Sequence, residues 1–371
     1  MNAYNRRQLT ALAFVFSLAP MMRLIPKQSA AAAQSGCWLT PLAALPFIIL
    51  YIVFLSCFLK NRRSGEGMGE MIKRAAGNVP GSIVLVLIAC NALFYCGFIL
   101  RSGADRFVSS IYPAATSTPF VFVMLILGFI AALGPKKAIV RTAKIFSPIL
   151  AAVLVLVLFF GLITIDISNL FPLPCGDMTP IFKGAVPVFN IYAAVLMYCS
   201  FLEDQSSIES GRAKHYILWM LPVTLLLTAD IAAIAGNFGA PLTARLTHPF
   251  FTMLRDITLF NTIERIEAFV VALWVIPDFI VFATALTVAV KCLLLVFDFK
   301  PPEDAPLWEM KNGRWLIPLC GAIAAAVAFT LSRDFEVMQR YSSFVVPALN
   351  LTVSLGLLPL CFIVGKLRKT I

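Results

Sequence analysis

Long apolar runs, each about as long as a membrane-crossing helix, alternate with short polar connectors along the whole chain. A helix needs roughly 20 apolar residues to cross the hydrocarbon core of a bilayer. By that measure the runs at 9–33, 40–59, 82–100, 118–133, 145–165, 184–202, 216–235, 266–297, 316–331 and 342–365 predict ten spans. The pattern reads as an all-α polytopic membrane protein, with residues 1–371 forming one integral domain. The first run is read as a retained span, because Arg23 and Lys27 close it and a second long run follows.

Composition agrees with the pattern. Hydrophobic residues make up 60% of the chain and charged residues 13%, whereas a soluble domain has about 45–50% and about 25%. The net charge of +11 would suggest nucleic acid in a soluble protein, but in a membrane protein the positions of the cations carry the information. With the N-terminus in the cytoplasm, Arg62, Arg63, Lys73, Arg74, Lys136, Lys137, Lys366 and Arg368 all lie on the inner side. Arg101, Arg106, Arg245 and Arg255 are among the few placed outside. Both termini are therefore expected in the cytoplasm, which requires an even number of spans. The longest outer segment, 236–264, is expected to carry a short surface helix or lid.

Little suggests catalysis or metal binding. The nine cysteines form no C-x-x-C pair and lie mostly inside apolar runs, as packing residues do. Only two histidines occur, His215 and His248, and both fall outside the expected core. We therefore expect no metal site, no cofactor and no enzymatic activity. The glycine-rich stretch Ser64 to Gly69 joins two spans with no strand before it, so it reads as a flexible connector and not as a phosphate loop.

Three spans depart from the plain pattern. In the first, Pro20 and Pro26 flank Arg23; each proline removes a backbone donor, and a break is expected there. The alternative is a simple kink with Arg23 snorkelling outwards. In the sixth, Pro187 and Asn190 interrupt the outer half, although Pro187 also suits an ordinary first turn. Spans one and six are equivalent members of two five-span halves, about 9–165 and 184–365, and paired interruptions of this kind mark the substrate site of inverted-repeat transporters. The expected substrate-binding residues are therefore Ala19, Pro20, Met21, Met22 and Arg23 with Asn190, Ile191, Tyr192 and Ala193.

The eighth span holds Pro277 and Asp278 at its middle, where a charge costs about 3 kcal/mol on the insertion scale. Arg23 lies at a similar depth, so the two can neutralise each other as a coupling group or as a purely architectural ion pair. A protonated Asp278 is the remaining alternative. Asp230 is expected to reach the interface, and Glu264 and Glu267 to favour a helix N-terminus.

The stretch "ERIEAFVVALWV", with Arg265, Glu267 and Trp274, carries a resemblance to a known family. Gln8, Pro26, Trp38, the pair Thr118 and Pro119, and Gly134, Arg141 and Pro148 support it in order and spacing. The chain resembles the spore germination permease family, the B subunits of nutrient germinant receptors, within the amino acid–polyamine–organocation superfamily. That resemblance implies two inverted five-helix repeats with broken helices one and six. It also implies an amino acid or similar nutrient as ligand, A-type and C-type receptor subunits as partners, and the spore inner membrane, or else the bacterial cell membrane, as location. The chain departs from the family pattern at Ala19, where glycine is common, at Ala193 and Ala194 in place of Gly-Glu, and at Lys144 in place of Glu. A proton-coupled amino acid permease and a scaffold with a vestigial site are the competing readings.

A guanidinium beside the first span's prolines can hold a carboxylate in a bidentate pair that lysine cannot copy. Arg23, partnered by Asp278 in the empty site, would turn to a ligand carboxylate in the filled one. Arg23→Gln is expected to abolish binding of acidic or zwitterionic ligands in a titration; unchanged affinity would contradict this.

Overall fold

The computed structural model describes residues 6–63, 66–111, 115–173, 176–203, 212–256, 266–299, 309, 313–331 and 335–370. Among them every regular element is helical. Helix α1 (Arg6–Ala33) leads through a tight 3-10 turn (Gln34–Leu39) into α2 (Thr40–Leu59) and the short α3 (Met68–Ala76). Then follow α4 (Asn78–Ser110), α5 (Thr118–Leu133), α6 (Lys136–Ile163), α7 (Thr179–Leu202) and α8 (Arg212–Phe238). Two short helices, α9 (Ala240–Thr243) and α10 (Pro249–Asp256), precede α11 (Ile266–Leu273), α12 (Val275–Val296) and α13 (Gly313–Thr330). The last rod is α14 (Phe335–Arg340), α15 (Val346–Leu351) and α16 (Leu358–Leu367), joined by wider π turns. Seven described helical stretches are long and apolar enough to cross a membrane, the first of them covering 8–59. Two further apolar helices, Thr118–Leu133 and Arg314–Thr330, are shorter.

Apolar side chains such as Leu50, Ile83, Phe122, Ile130, Phe159, Leu225 and Leu360 are exposed around the outside, as suits contact with lipid. The inside is α12, where every residue from Ile280 to Val290 is buried. Helix α12 packs most extensively on α4, and α1 on α7. A stack of Phe16, Tyr95 and Tyr198 ties α1, α4 and α7 together, and beside it Asn91 donates to the Tyr198 hydroxyl at 3.3 Å and to Asn350 Oδ1 at 3.1 Å.

The helix breaks fall elsewhere than the prolines suggest. Helix α1 runs without interruption through Pro20 and Pro26, and α7 through Pro187. The expected breaks in spans one and six are therefore corrected to unbroken helices: a proline forfeits one helical hydrogen bond, and neighbouring helices hold the backbone on both sides of it. The break is in the eighth span, at Trp274, between α11 and α12. Pro277 has no N–H to offer the Leu273 carbonyl, so the helix stops and restarts there.

Two further expectations are corrected. Asp230 does not reach the interface but is fully buried. The end of the glycine-rich connector opens α3, where the Gly67 N–H donates to Glu70 Oε2 at 2.9 Å and Met68, Met71 and Ile72 are buried. The segment after α8 carries short helices: α10 exposes Arg255 and Asp256 but buries Phe250, Phe251, Met253 and Leu254, and Phe250 packs on Trp274 with ring centres 5.3 Å apart. Ser64, Gly65, Glu264 and Arg265 lie outside the described residues.

Helix α3 fastens the end of the bundle that holds the chain termini. Lys73 Nζ donates to the Leu295 carbonyl at 2.8 Å and pairs with Asp298 at 2.6 Å, and Arg368 donates to the Ala76 carbonyl at 2.6 Å. This closeness depends on Gly81, where a β-carbon would stand 2.6 Å from Lys73 Cα. Backbone cannot give way as a side chain can, so Gly81→Ala is expected to lower stability by about 1–3 kcal/mol in thermal unfolding of the detergent-solubilised protein. Unchanged unfolding would contradict this packing.

Candidate functional site

The restart of the helix at Val275 puts Asp278 in the first turn of α12, where the positive end of the helix dipole favours a carboxylate. The carboxylate is clamped from two sides. Arg23 Nη1 of α1 donates to Asp278 Oδ1 at 3.3 Å, and Arg106 Nη1 of α4 lies 2.7 Å from Oδ2. All three side chains are at most 1% exposed. Gly103 lets α4 come this near, since a β-carbon there would sit 3.0 Å from Asp278 Oδ2. Aromatic rings complete the housing: the Arg23 guanidinium lies 5.9 Å from the centre of the Phe98 ring, and that of Arg106 lies 5.4 Å from Phe251 and 5.8 Å from Phe107.

The cluster has one more cation than carboxylates. Arg23 Nε and Nη2 and, on Arg106, Nε and Nη2 find no acceptor among the described residues, while Arg106 Nη1 is taken up by Asp278. An unneutralised charge away from water is costly, and this surplus lies beside a cavity of about 140 Å³. Arg23, Lys27, Phe98, Ser102, Asp105 and His248 are among its lining residues. It sits at the end of the bundle away from the chain termini, where α1, α4, the α9–α10 connection and α14 meet. Arg101 Nη2 pairs with Asp105 at 2.8 Å. Arg255 of α10 caps the end of α4, donating to the Ser109 and Ser110 carbonyls at 2.7 and 2.9 Å.

His248, expected outside the core, has both ring nitrogens buried and without partners among the described residues. Burial, then the charges of Arg23, Arg106 and Lys27, pull its pKa down to about 3. Its ring is therefore neutral at physiological pH, with one N–H to donate and one nitrogen to accept.

Of the residues expected to bind substrate, Arg23 lines the cavity. Ala19, Pro20, Met21 and Met22 are buried in α1, and Asn190, Ile191, Tyr192 and Ala193 in α7, along the α1–α7 seam. Tyr192 shares a 2.9 Å hydrogen bond with Thr224, and Asn190 Oδ1 has no hydrogen-bond donor. Sequence reasoning missed Arg106, which it placed in an outer loop by ending the third span at Leu100. Two signals were present: Arg101 and Asp105 at helical i, i+4 spacing, and Phe98, Ser102 and Arg106 on one stripe of the same helix.

The family model described as "Spore germination protein" matches residues 5–335. Spore germination protein A2 of Bacillus subtilis (strain 168) is 21% identical over 246 residues, 66% of this chain and 67% of its own. Putative spore germination protein YfkT of the same strain is 23% identical over 266 residues, 70% of this chain and 71% of its own. Among solved structures, a Na+-coupled sialic acid symporter in a substrate-bound outward-open state aligns with a TM-score of 0.66 at 13% identity, over 95% of this chain and 78% of that one. Mhp1, a nucleobase-cation-symport-1 family transporter in a closed conformation with bromovinylhydantoin bound, aligns with a TM-score of 0.66 at 12% identity, over 97% and 77%. At such identities these two likenesses show the fold alone, which is that of a transporter.

The charge arithmetic of the cluster orders its variants. Asp278→Asn leaves two buried guanidiniums with no carboxylate and is expected to destabilise the protein by about 3–5 kcal/mol. Arg23→Gln leaves a one-to-one Arg106–Asp278 pair and is expected to cost much less. Thermal unfolding of both variants in one detergent checks the order, and an equal or reversed order would contradict the clamp.

Proposed function

The chain belongs to the spore germination protein family, and from that premise we propose that it is the transporter-fold, B-type subunit of a nutrient germinant receptor. In this reading it binds a small nutrient, an amino acid or a chemically similar solute, and passes the signal to A-type and C-type subunits in the spore inner membrane. Both termini lie in the cytoplasm, and the halves at about 9–165 and 184–365 are related as inverted repeats.

The observation that carries the reading is the buried Arg23–Asp278–Arg106 cluster beside a small cavity. Intramembrane charges cost free energy, and they usually mark a solute or ion path. Three helices share one carboxylate, so a solute that takes over part of the Arg23 guanidinium changes how α1, α4 and α12 are held. Such differential binding is what a two-state receptor requires.

Asp230 supports the second reading, a proton-coupled permease. Its carboxyl is fully buried in α8, and neither oxygen has a hydrogen-bond donor among the described residues. Asp278 is engaged on both oxygens by cations, so the group suited to carry a proton is Asp230.

Spores of the source organism lacking this gene, tested on a panel of amino acids, sugars and organic acids, are expected to lose the germination response to one nutrient class. An unchanged response to every nutrient, together with solute uptake by the purified chain in vesicles without other subunits, would overturn the receptor reading in favour of the permease.

A further inference from the structure

Among the described residues the ion pairs at the cavity hold more cations than carboxylates: Arg23, Arg101 and Arg106 against Asp105 and Asp278. Both carboxylates are taken. Asp278 is held by two guanidiniums, and Asp105 is bound edge-on by Arg101, with Nε to Oδ2 at 3.0 Å and Nη2 to Oδ1 at 2.8 Å. No described lining carboxylate is therefore free for a ligand's ammonium group.

Backbone offers no substitute from α1, which is helical throughout. The carbonyl that Pro26 deprives of its helical donor belongs to Met22, and Met22 does not line the cavity. The unused charged group is the reverse of what an ammonium needs. With Nη1 of Arg23 on Asp278, the Nε–Nη2 edge is left, and that edge matches a carboxylate in two parallel hydrogen bonds. The buried Ser102 hydroxyl and the His248 ring, both without partners, can each donate or accept. Leu24, Ala31, Phe98 and Met338 supply apolar wall for a short carbon skeleton.

We propose that this cavity is a site for a small organic anion that carries a carboxylate but no ammonium group, held on the Nε–Nη2 edge of Arg23 with Ser102 and His248 as neutral partners. Asp278 need not release Arg23 for this. It pins Nη1 and leaves the Nε–Nη2 edge without a partner among the described residues. The inference rests on the reading of the chain as a nutrient-binding subunit and narrows the nutrient from amino acids to carboxylic and hydroxy acids.

The test is calorimetric titration of the purified full-length protein with sodium lactate, propionate and succinate, against alanine, propionamide and sodium chloride at matched ionic strength. At least one of the three acids is expected to bind about tenfold or more tightly than alanine, with no binding of propionamide or of chloride alone. Arg23→Gln is expected to abolish acid binding. Ser102→Ala, which removes only a hydroxyl, is expected to weaken it about threefold or more and decides the matter where Arg23→Gln does not fold. Alanine binding as tightly as the acids, chloride alone giving the same heat, no acid binding at all, or full affinity in Ser102→Ala would each overturn the proposal. Spores lacking the gene that germinate normally would remove the receptor role but leave acid binding intact. Alanine-selective binding would remove the anion site and leave the receptor role standing.

Discussion

A carboxylate buried in the middle of a membrane bundle must be neutralised where it stands, and Asp278 is neutralised twice. Pro277 ends one helix at Trp274 and starts the next, which puts Asp278 in a first turn with the dipole in its favour. The two cations then come from helices far apart in sequence, α1 and α4. Gly103 gives α4 its approach, and rings from α4 and α10 pack over the guanidiniums. The central packing of α12 against α4 and α1 is therefore also an electrostatic requirement: separating these helices would strand charges in a medium that cannot solvate them.

The fold class was legible from hydropathy alone, because the described residues of the predicted apolar runs are helical almost throughout. The Asp278 anomaly and the matching depth of Arg23 were legible too, the first from Pro277 and Asp278 inside an apolar run and the second from residue counting. Arg106 was not, because a hydropathy window reads any cluster of charges as the end of a span. A buried, paired arginine breaks that rule, and α4 runs on to Ser110 as a helix. The location of the helix break was misjudged for a related reason. Sequence gives each proline equal weight, whereas packing decides which one interrupts a helix: Pro20 and Pro26 are absorbed by α1, while Pro277 is not absorbed by α12. Helix α3 was hidden by the glycines of the connector before it, yet Gly69 in α3 and Gly81 in α4 permit close approach to Leu295 and Lys73.

Family membership and the transporter-like fold set the frame for function, and the cluster and its cavity give it chemical content. The seam between α1 and α7, where inverted-repeat logic places the ligand, is packed with Ala19, Ala193 and Ala194. Beyond Asn190 Oδ1 in the seam, polar groups without partners among the described residues lie one to two turns further along α1, around Arg23, Ser102 and His248. The alanine methyls fill space in the seam that a ligand held by main chain would use, while Arg23 offers a side chain to hold one. Both features suit the proposed carboxylate ligand, recognised by a guanidinium and not by exposed main chain.

The most direct test is where a heavy-atom carboxylate sits when bound. A structure of the full-length protein with 3-bromopropionate, its bromine located by anomalous scattering, should show the carboxylate on the Nε–Nη2 edge of Arg23 and the bromine among Leu24, Phe98 and Met338, with Asp278 still between Arg23 and Arg106. Bromine in the α1–α7 seam beside Ala19 and Asn190, with Arg23 unengaged, would contradict the account.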